Sequence, residues 1–390
     1  MAVVETVIRS QQPTALWVDA FCVPREEPAR ATCLGSMGAI YAHASQVVVV
    51  LSEPSSALLE QIRETGEVDE SALLALESDD WVSRAWTYQE IVNSGKVRFV
   101  SQGADDAWAD AIDVLSKAGY AIDRFKKAHG YDTFKMRALH PRLDGLEDLI
   151  VDWKISDYLE RSAYQVMCGM HGRDSAQPED LFYAMIGAIS TSPAEGPTLP
   201  SGPPAEYFMQ ICEEKGDYSF IYSTAPRSEE PGRRWRPKTA DRFRAVFPWH
   251  CWGEGQSACV NPTHIQLNGM WLVNPVSTPT TAKPWVADFL KTSDDSSSSE
   301  DLPASMLRQL RLAGFQGCGE HLEMETGYFF SYSPLPQGPD LFVAAATGIQ
   351  MSLGSPGLLL RRNASEIHDF CGIGLFVGRV PKKGVSLDVG

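Results

Sequence analysis

Residues Gln46–Leu51 read Gln-Val-Val-Val-Val-Leu, a run that is apolar at every position after the glutamine and dominated by valine. β-Branched side chains favour a strand. A strand with no polar alternation is buried on both faces, as in a parallel sheet flanked by helices. Upstream, residues 29–45 have helical spacing, with Leu34, Met37, Tyr41 and Ala44 on one face. Before them, Ala15-Leu-Trp-Val-Asp19 reads as a short strand that ends in a carboxylate. Strand, helix and buried strand together predict a βαβ unit.

The pattern continues in the same style. Residues 53–78 form an acidic insert with helical character, and Asp79-Asp80 can cap a helix running from Trp81 to Asn93. Gly95 ends it, and Lys96-Val-Arg-Phe-Val100 reads as a further strand. Residues 1–105 are therefore expected to form a small α/β core, and 106–191 a helical extension. Residues 192–204 contain five prolines and two glycines and are expected to be a linker. From 205 to 390 the chain turns to short β-like runs separated by glycine and proline, which predicts an irregular β-rich region. Ser293–Asp301 is a low-complexity stretch expected to be a solvated loop.

Composition narrows the function classes. The 390 residues are 44% hydrophobic and 22% charged, enough to bury real cores in two or three domains. The formal charge of −16 argues against a phosphate-backbone partner, so no nucleic acid is expected. No apolar run approaches the ~20 residues of a membrane helix, and the N-terminus lacks the pattern of a signal peptide. The eight scattered cysteines show no CxxC, which points to reduced thiols in a cytoplasmic protein. His250, Cys251, Cys259 and His264 outline a zinc site, but their spacing matches no common pattern and no metal is expected. There is no P-loop, dinucleotide fingerprint or Gly-x-Ser-x-Gly elbow.

Three segments resemble the fungal heterokaryon-incompatibility (HET) domain family. Leu16-Trp-Val-Asp-Ala-Phe-Cys22 is similar to its "lWiDaiCInQ" strand, with Val23-Pro24-Arg25 in place of Ile-Asn-Gln. Met37, Ile40-Tyr41, Ala44 and Val47–Leu51 resemble "M..IY..A..V.VWLG". Trp81-Val-Ser-Arg-Ala-Trp-Thr-Tyr-Gln-Glu90 resembles "W..R.WT.QE". Fainter likenesses follow: Arg173–Gly187 with a helix that comes after HET cores, and Gly357–Arg362 with Phe370–Gly378 with the ending of many such proteins. The family normally opens with a "YvaLSYvWG" strand. Only residues 1–15 precede the second motif here, so that strand is expected to be missing, through a truncated gene model or a degenerate module.

The resemblance implies a TIR-like, flavodoxin-like parallel sheet and a role in non-self recognition and programmed cell death, a form of innate immunity. Partners would be other HET, TIR-like or NLR-type signalling proteins, or further copies of the chain. Some TIR domains cleave the glycosidic bond of NAD with a glutamate in a "W..KEI"-type helix, and Trp86–Ile91 falls at that place. Glu90 is thus the candidate catalytic residue, with NAD as substrate and no cofactor. Ser83, Trp86 or Thr87, and Glu90 share one face of a continuous helix. Trp86 is placed to stack on a planar ring and Arg84 to meet a phosphate. Asp19, at a strand end, is placed to hold a ribose hydroxyl. Each has an ordinary alternative: a solvated or ion-paired Glu90, a core Trp86, an Asp19 that caps the next turn. Cys22 is expected to be a buried thiol rather than a nucleophile. The competing function is a non-catalytic interaction protein.

Overall fold

The computed structural model describes residues 5, 8, 13, 15–102, 108–155, 161–192, 203–238, 243–276, 301–364 and 366–390. The chain forms two compact units. The first comprises Met1–Tyr131, Leu139–Leu159 and Gly172–Phe208; the second comprises Asp132–Ala138, Glu160–His171 and Met209–Gly390. The expected linker 192–204 and the serine-rich loop lie largely outside the described residues. No described helix is long and apolar enough to cross a membrane.

The first unit is mixed α/β. Its described elements begin with α1 (Asp19–Cys22), α2 (Ala29–Gly35), α3 (Met37–His43) and β1 (Val47–Leu51). Then come α4 (Ser56–Glu64), α5 (Glu70–Glu77), α6 (Asp80–Ser83), α7 (Ala85–Val92), β2 (Val97–Ser101) and β3 (Ala109–Asp110). The unit is completed by α8 (Ala111–His129), α9 (Pro141–Ile155) and α10 (Pro178–Ile189). Strands β1 and β2 pair in parallel with Val47 opposite Val97, and β3 joins antiparallel, in the order β1-β2-β3.

Two expectations need correction. Residues 15–18 form no strand; Phe21 and Cys22 donate their N–H groups to Val18 O, and the chain coils into the single turn α1. The predicted βαβ unit is therefore displaced: its real strands are β1 and β2, joined by α4 to α7. Nor is β1 buried on both faces. Val47, Val49 and Leu51 are buried, Val48 is half-buried and Val50 is exposed, because β1 is an edge strand of a three-stranded sheet.

Asp79 fastens the carboxyl end of β1 to the next helices. Its carboxylate accepts hydrogen bonds from Ser52 N (2.9 Å), Ser52 Oγ (2.7 Å), Ser55 Oγ (2.7 Å) and Trp81 N (3.0 Å). It is the N-cap of α6, as the Asp79-Asp80 pair predicts. Helix α10 packs on α2, α3 and α7, and glycine permits the close approach. A Cβ on Gly38 would lie 2.3 Å from Ser190 O and 2.5 Å from Gly187 O, and one on Gly187 would lie 1.5 Å from Gln89 Oε1.

The second unit is organised by one antiparallel eight-stranded sheet: β4 (Ala258–Val260), β5 (Ile265–Val273), β6 (His321–Met324), β7 (Gly327–Ser331), β8 (Leu341–Ala346), β9 (Gly354–Arg361), β10 (Asp369–Gly378) and β11 (Val385–Val389). The order is β11-β5-β8-β9-β10-β7-β6, with β4 on β5. The predicted short runs are thus strands, but they belong to a continuous sheet rather than an irregular region. Val273, Met324, Phe329, Val343, Ala345, Leu359 and Phe376 form its core cluster. Buried Asp217 ties this unit's loops together, accepting from the backbone N–H groups of Ala163 (2.5 Å), Ser219 (2.9 Å) and Gln256 (3.0 Å).

The glycine contact yields a test. Gly187→Ala is expected to destabilise the first unit by about 1–3 kcal/mol through overpacking. Both amide atoms of Gln89 are buried without hydrogen-bond partners, so adding Gln89→Ala should recover part of that loss. Urea denaturation of the two single variants and the double variant measures the coupling.

Candidate functional site

The predicted helix 81–93 is interrupted. Arg84 is extended, with φ −73° and ψ 139°, between α6 and α7. The cause is the segment Arg173-Asp174, which takes over the backbone groups that a continuous helix would use. Asp174 N donates to Ser83 O (2.7 Å), and Ala85 N donates to Asp174 O (2.9 Å). The Arg173 guanidinium donates to Val82 O, Arg84 O and Thr87 Oγ1, each at 3.2 Å. It also lies over the Tyr88 ring, 5.5 Å from the centroid, while Tyr88 Oη donates to Asp152 at 2.7 Å. Burial lowers the Arg173 pKa to about 10, against the opposing pull of Tyr88, Asp152, Asp148 and Glu90, so the group remains a cation at neutral pH.

The break changes which predicted residues meet. Ser83 no longer shares a helical face with Glu90: it is buried on α6, and its hydroxyl donates to Asp80 O at 3.1 Å. Trp86 stays one turn before Glu90 on α7 and is half-buried. Arg84 is turned out of the helix, and its Nη2 lies 3.8 Å from Asp19 Oδ2, both side chains being about half exposed. Asp19 is the first residue of the turn α1, with Oδ1 accepting from Ala20 N at 2.7 Å, so it sits on a helical turn rather than at a strand end. Cys22 is exposed, against the expectation of a buried thiol, because its turn lies at the surface.

Glu90 is half-buried on α7, on the more open face that it shares with Trp86. Tyr41 Oη donates to its Oε1 at 3.5 Å, and Trp17 packs edge-on against the Tyr41 ring at 5.8 Å. Burial pushes the Glu90 pKa up to about 7. Arg84 opposes the rise, Asp19 adds to it, and the Trp81 indole and Tyr41 hydroxyl both favour the charged form. The Trp81 N–H is itself buried and outside hydrogen-bond geometry, so its help is weak. Burial, together with Glu90 and Asp19, raises the Tyr41 phenol well above its ordinary range, so it remains a proton donor. Asp19, Tyr41, Arg84 and Glu90 thus form one cluster: two carboxyls, one guanidinium and a phenol, with Trp17 and Trp81 beside them.

Residues 2–72 match the family model described as Heterokaryon incompatibility protein (HET). That N-terminal segment is similar to the HET family. The match takes in Trp17, Asp19 and Tyr41 and stops ahead of α6 and α7, so the HET segment supplies one side of the cluster and the following helices supply Arg84 and Glu90. No curated protein and no solved structure matches the chain.

Sequence reasoning quoted Tyr41 and Trp17 within HET-like motifs without assigning them to the site. Tyr41 lies on an expected helical face and Trp17 on an expected strand, and the turn α1 goes with the packing of Trp17 on Tyr41. Arg173 lies more than 80 positions from the residues it holds, and no local pattern announces that contact. Outside this cluster, Cys251 is buried and Cys259 exposed, and no group of three His, Cys, Asp or Glu side chains is placed to hold a metal among the described residues.

The raised pKa has a consequence for stability. The folded state keeps the Glu90 proton from the ordinary 4.5 up to about 7, so this group's contribution falls as pH rises through that window and is fully unfavourable above it. Glu90→Gln should therefore stabilise the chain at pH 8 by about 1–3 kcal/mol, with a much smaller difference at pH 5. Urea midpoints at the two pH values check this.

Proposed function

We propose that the chain acts in heterokaryon incompatibility and that Glu90 is its catalytic residue, cleaving the nicotinamide–ribose bond of NAD. The observation that carries this reading is the cluster itself: a half-buried carboxyl, a phenol donor and a guanidinium, flanked by aromatic rings. Enclosed carboxyls with pKa values near neutrality are frequent in functional sites. The parallel β1–β2 pair with its helical crossover supports a TIR-like core, and the "W..KEI"-like placement of Glu90 supports its role.

The chemistry balances without a metal. The C1′–N bond breaks, and its electron pair leaves with the nicotinamide nitrogen. Water adds through oxygen to C1′ and releases a proton, giving ADP-ribose. The Glu90 carboxylate stabilises the oxocarbenium-like ribose and holds its hydroxyls. Arg84 faces a phosphate, Asp19 a ribose hydroxyl, and Trp86 stacks on a ring. Ser83 has no part, since its hydroxyl is engaged inside α6. On this reading the reaction takes place in the cytoplasm, in a cell-death response that depends on assembly with further copies of the chain or with HET, TIR-like or NLR-type proteins.

A second reading has its own support. Phe21 is 73% exposed and Leu16 41% exposed, on either side of Trp17 and Asp19. Such side chains suit a non-catalytic docking surface. One assay separates the two. Purified chain with NAD is expected to release nicotinamide, with a rate that rises through about pH 7 as Glu90 ionises. Glu90→Ala and Glu90→Gln should each lower it by about 100-fold or more. Release that survives both substitutions removes Glu90 from the reaction. No release by the wild-type chain at high concentration favours docking.

A further inference from the structure

We propose that Tyr41 is a positioning residue for Glu90: its hydroxyl holds the carboxyl in one orientation and makes the acid give up its proton more readily. The kinetic part of this proposal rests on the NAD reading above, and the titration part stands apart from it.

The geometry is specific. Tyr41 is buried on α3, and Trp17 packs edge-on against its ring, so the phenol has little freedom to turn away. Its Oη donates to Glu90 Oε1 at 3.5 Å, across the packed pair α3 and α7. The other groups that act on Glu90 come from different elements. Asp19 on α1 opposes ionisation; Arg84 at the helix break favours it; Trp81 on α6 favours it weakly. Arg173, ahead of α10, is a half-buried cation whose own charge Glu90 supports. Among these, Arg84 and Asp19 are partly exposed and paired with each other at 3.8 Å. Their fields on Glu90 are screened by water and salt and partly cancel. The Tyr41 hydroxyl is enclosed and unscreened, and a donor to a carboxylate stabilises the charged form. Its effect is smaller than those of Arg84 and Asp19, but as an enclosed donor in contact with the carboxyl it acts on where the acid titrates.

Removing the hydroxyl leaves the ring and its contact with Trp17 in place. The test is a 13C-carboxyl NMR titration of the full chain labelled at glutamate, with the Glu90 signal assigned by its loss in Glu90→Gln. Tyr41→Phe is expected to move the Glu90 midpoint up by about 0.5–1 pH unit. Arg84→Gln should also move it up, and Asp19→Asn down. 3-Fluorotyrosine at position 41, a stronger donor of the same shape, should move it down, and this arm holds even where Tyr41→Phe folds poorly. A Glu90 midpoint unchanged by the fluorinated residue and by a folded Tyr41→Phe, while Asp19→Asn shifts it, overturns the proposal. In nicotinamide release, Tyr41→Phe should shift the pH profile to the alkaline side with KM unchanged. If the wild-type chain releases no nicotinamide, the NAD reading fails alone, and the titration still decides the role of Tyr41.

Discussion

The arrangement of the first unit depends on one half-buried cation. Arg173 binds the carbonyls of Val82 and Arg84 and the Thr87 hydroxyl, and Asp174 beside it takes the backbone groups of Ser83 and Ala85. Without that intrusion the sequence 81–93 would run as one helix, and Arg84 would lie on it in phase with its neighbours. With it, Arg84 leaves the helix toward Asp19, and α7 restarts in a new phase that carries Glu90 against α3. Even partial burial of a guanidinium is costly unless its charge is compensated. Here Asp152 and Asp148 oppose the loss of its charge, and the Tyr88 ring faces it. The other marks of the Arg173–Gly187 segment serve the same assembly: Asp180 pairs with Arg30 at 3.4 Å, and Gly187 admits the Gln89 amide.

Within that frame, the charge on Glu90 is a near balance. Burial alone opposes a carboxylate strongly. Arg84, Tyr41 and Trp81 bring the pKa back only as far as about 7, with Asp19 pulling the other way. A small change in any of these partners therefore changes the ionised fraction most steeply at the pH of a cell. Of the partners, Tyr41 is the best enclosed, and Arg84 is the one best placed to be taken away by an incoming phosphate or a docking partner.

Much of the fold was legible in the sequence because it is local. The valine run marks β1, Asp79 the cap of α6, and Lys96–Val100 the strand β2. What failed was non-local. Ala15–Asp19 has the composition of a strand, yet a strand requires a partner, and Val18 O is satisfied instead by the N–H groups of its own turn. The same turn puts Cys22 at the surface. In the second unit, glycines and prolines disguised a regular sheet. A Cβ at Gly374 would lie 2.3 Å from Phe330 O and 2.4 Å from the Phe329 ring, so the glycine is there to let bulky neighbours close on the strand rather than to break it. Of the site, Asp19, Arg84 and Glu90 were readable as charged residues in family-like motifs. The argument that put Ser83 on one face with Glu90 assumed an unbroken helix, which the break at Arg84 removes.

The two functional readings make different demands on the same residues, and the energetics bear on them unequally. A docking surface gains from exposed apolar groups such as Phe21, but nothing in docking requires a half-buried acid where neutral glutamine would fit at lower cost. Domains are stable by only about 5–15 kcal/mol, so an enclosed carboxyl that titrates near neutrality is a substantial load. That load is tolerated when the charge, or its proton, is used. The Tyr41 contact points the same way, since it favours the less stable, ionised form of Glu90 rather than the protonated one that folding alone would prefer.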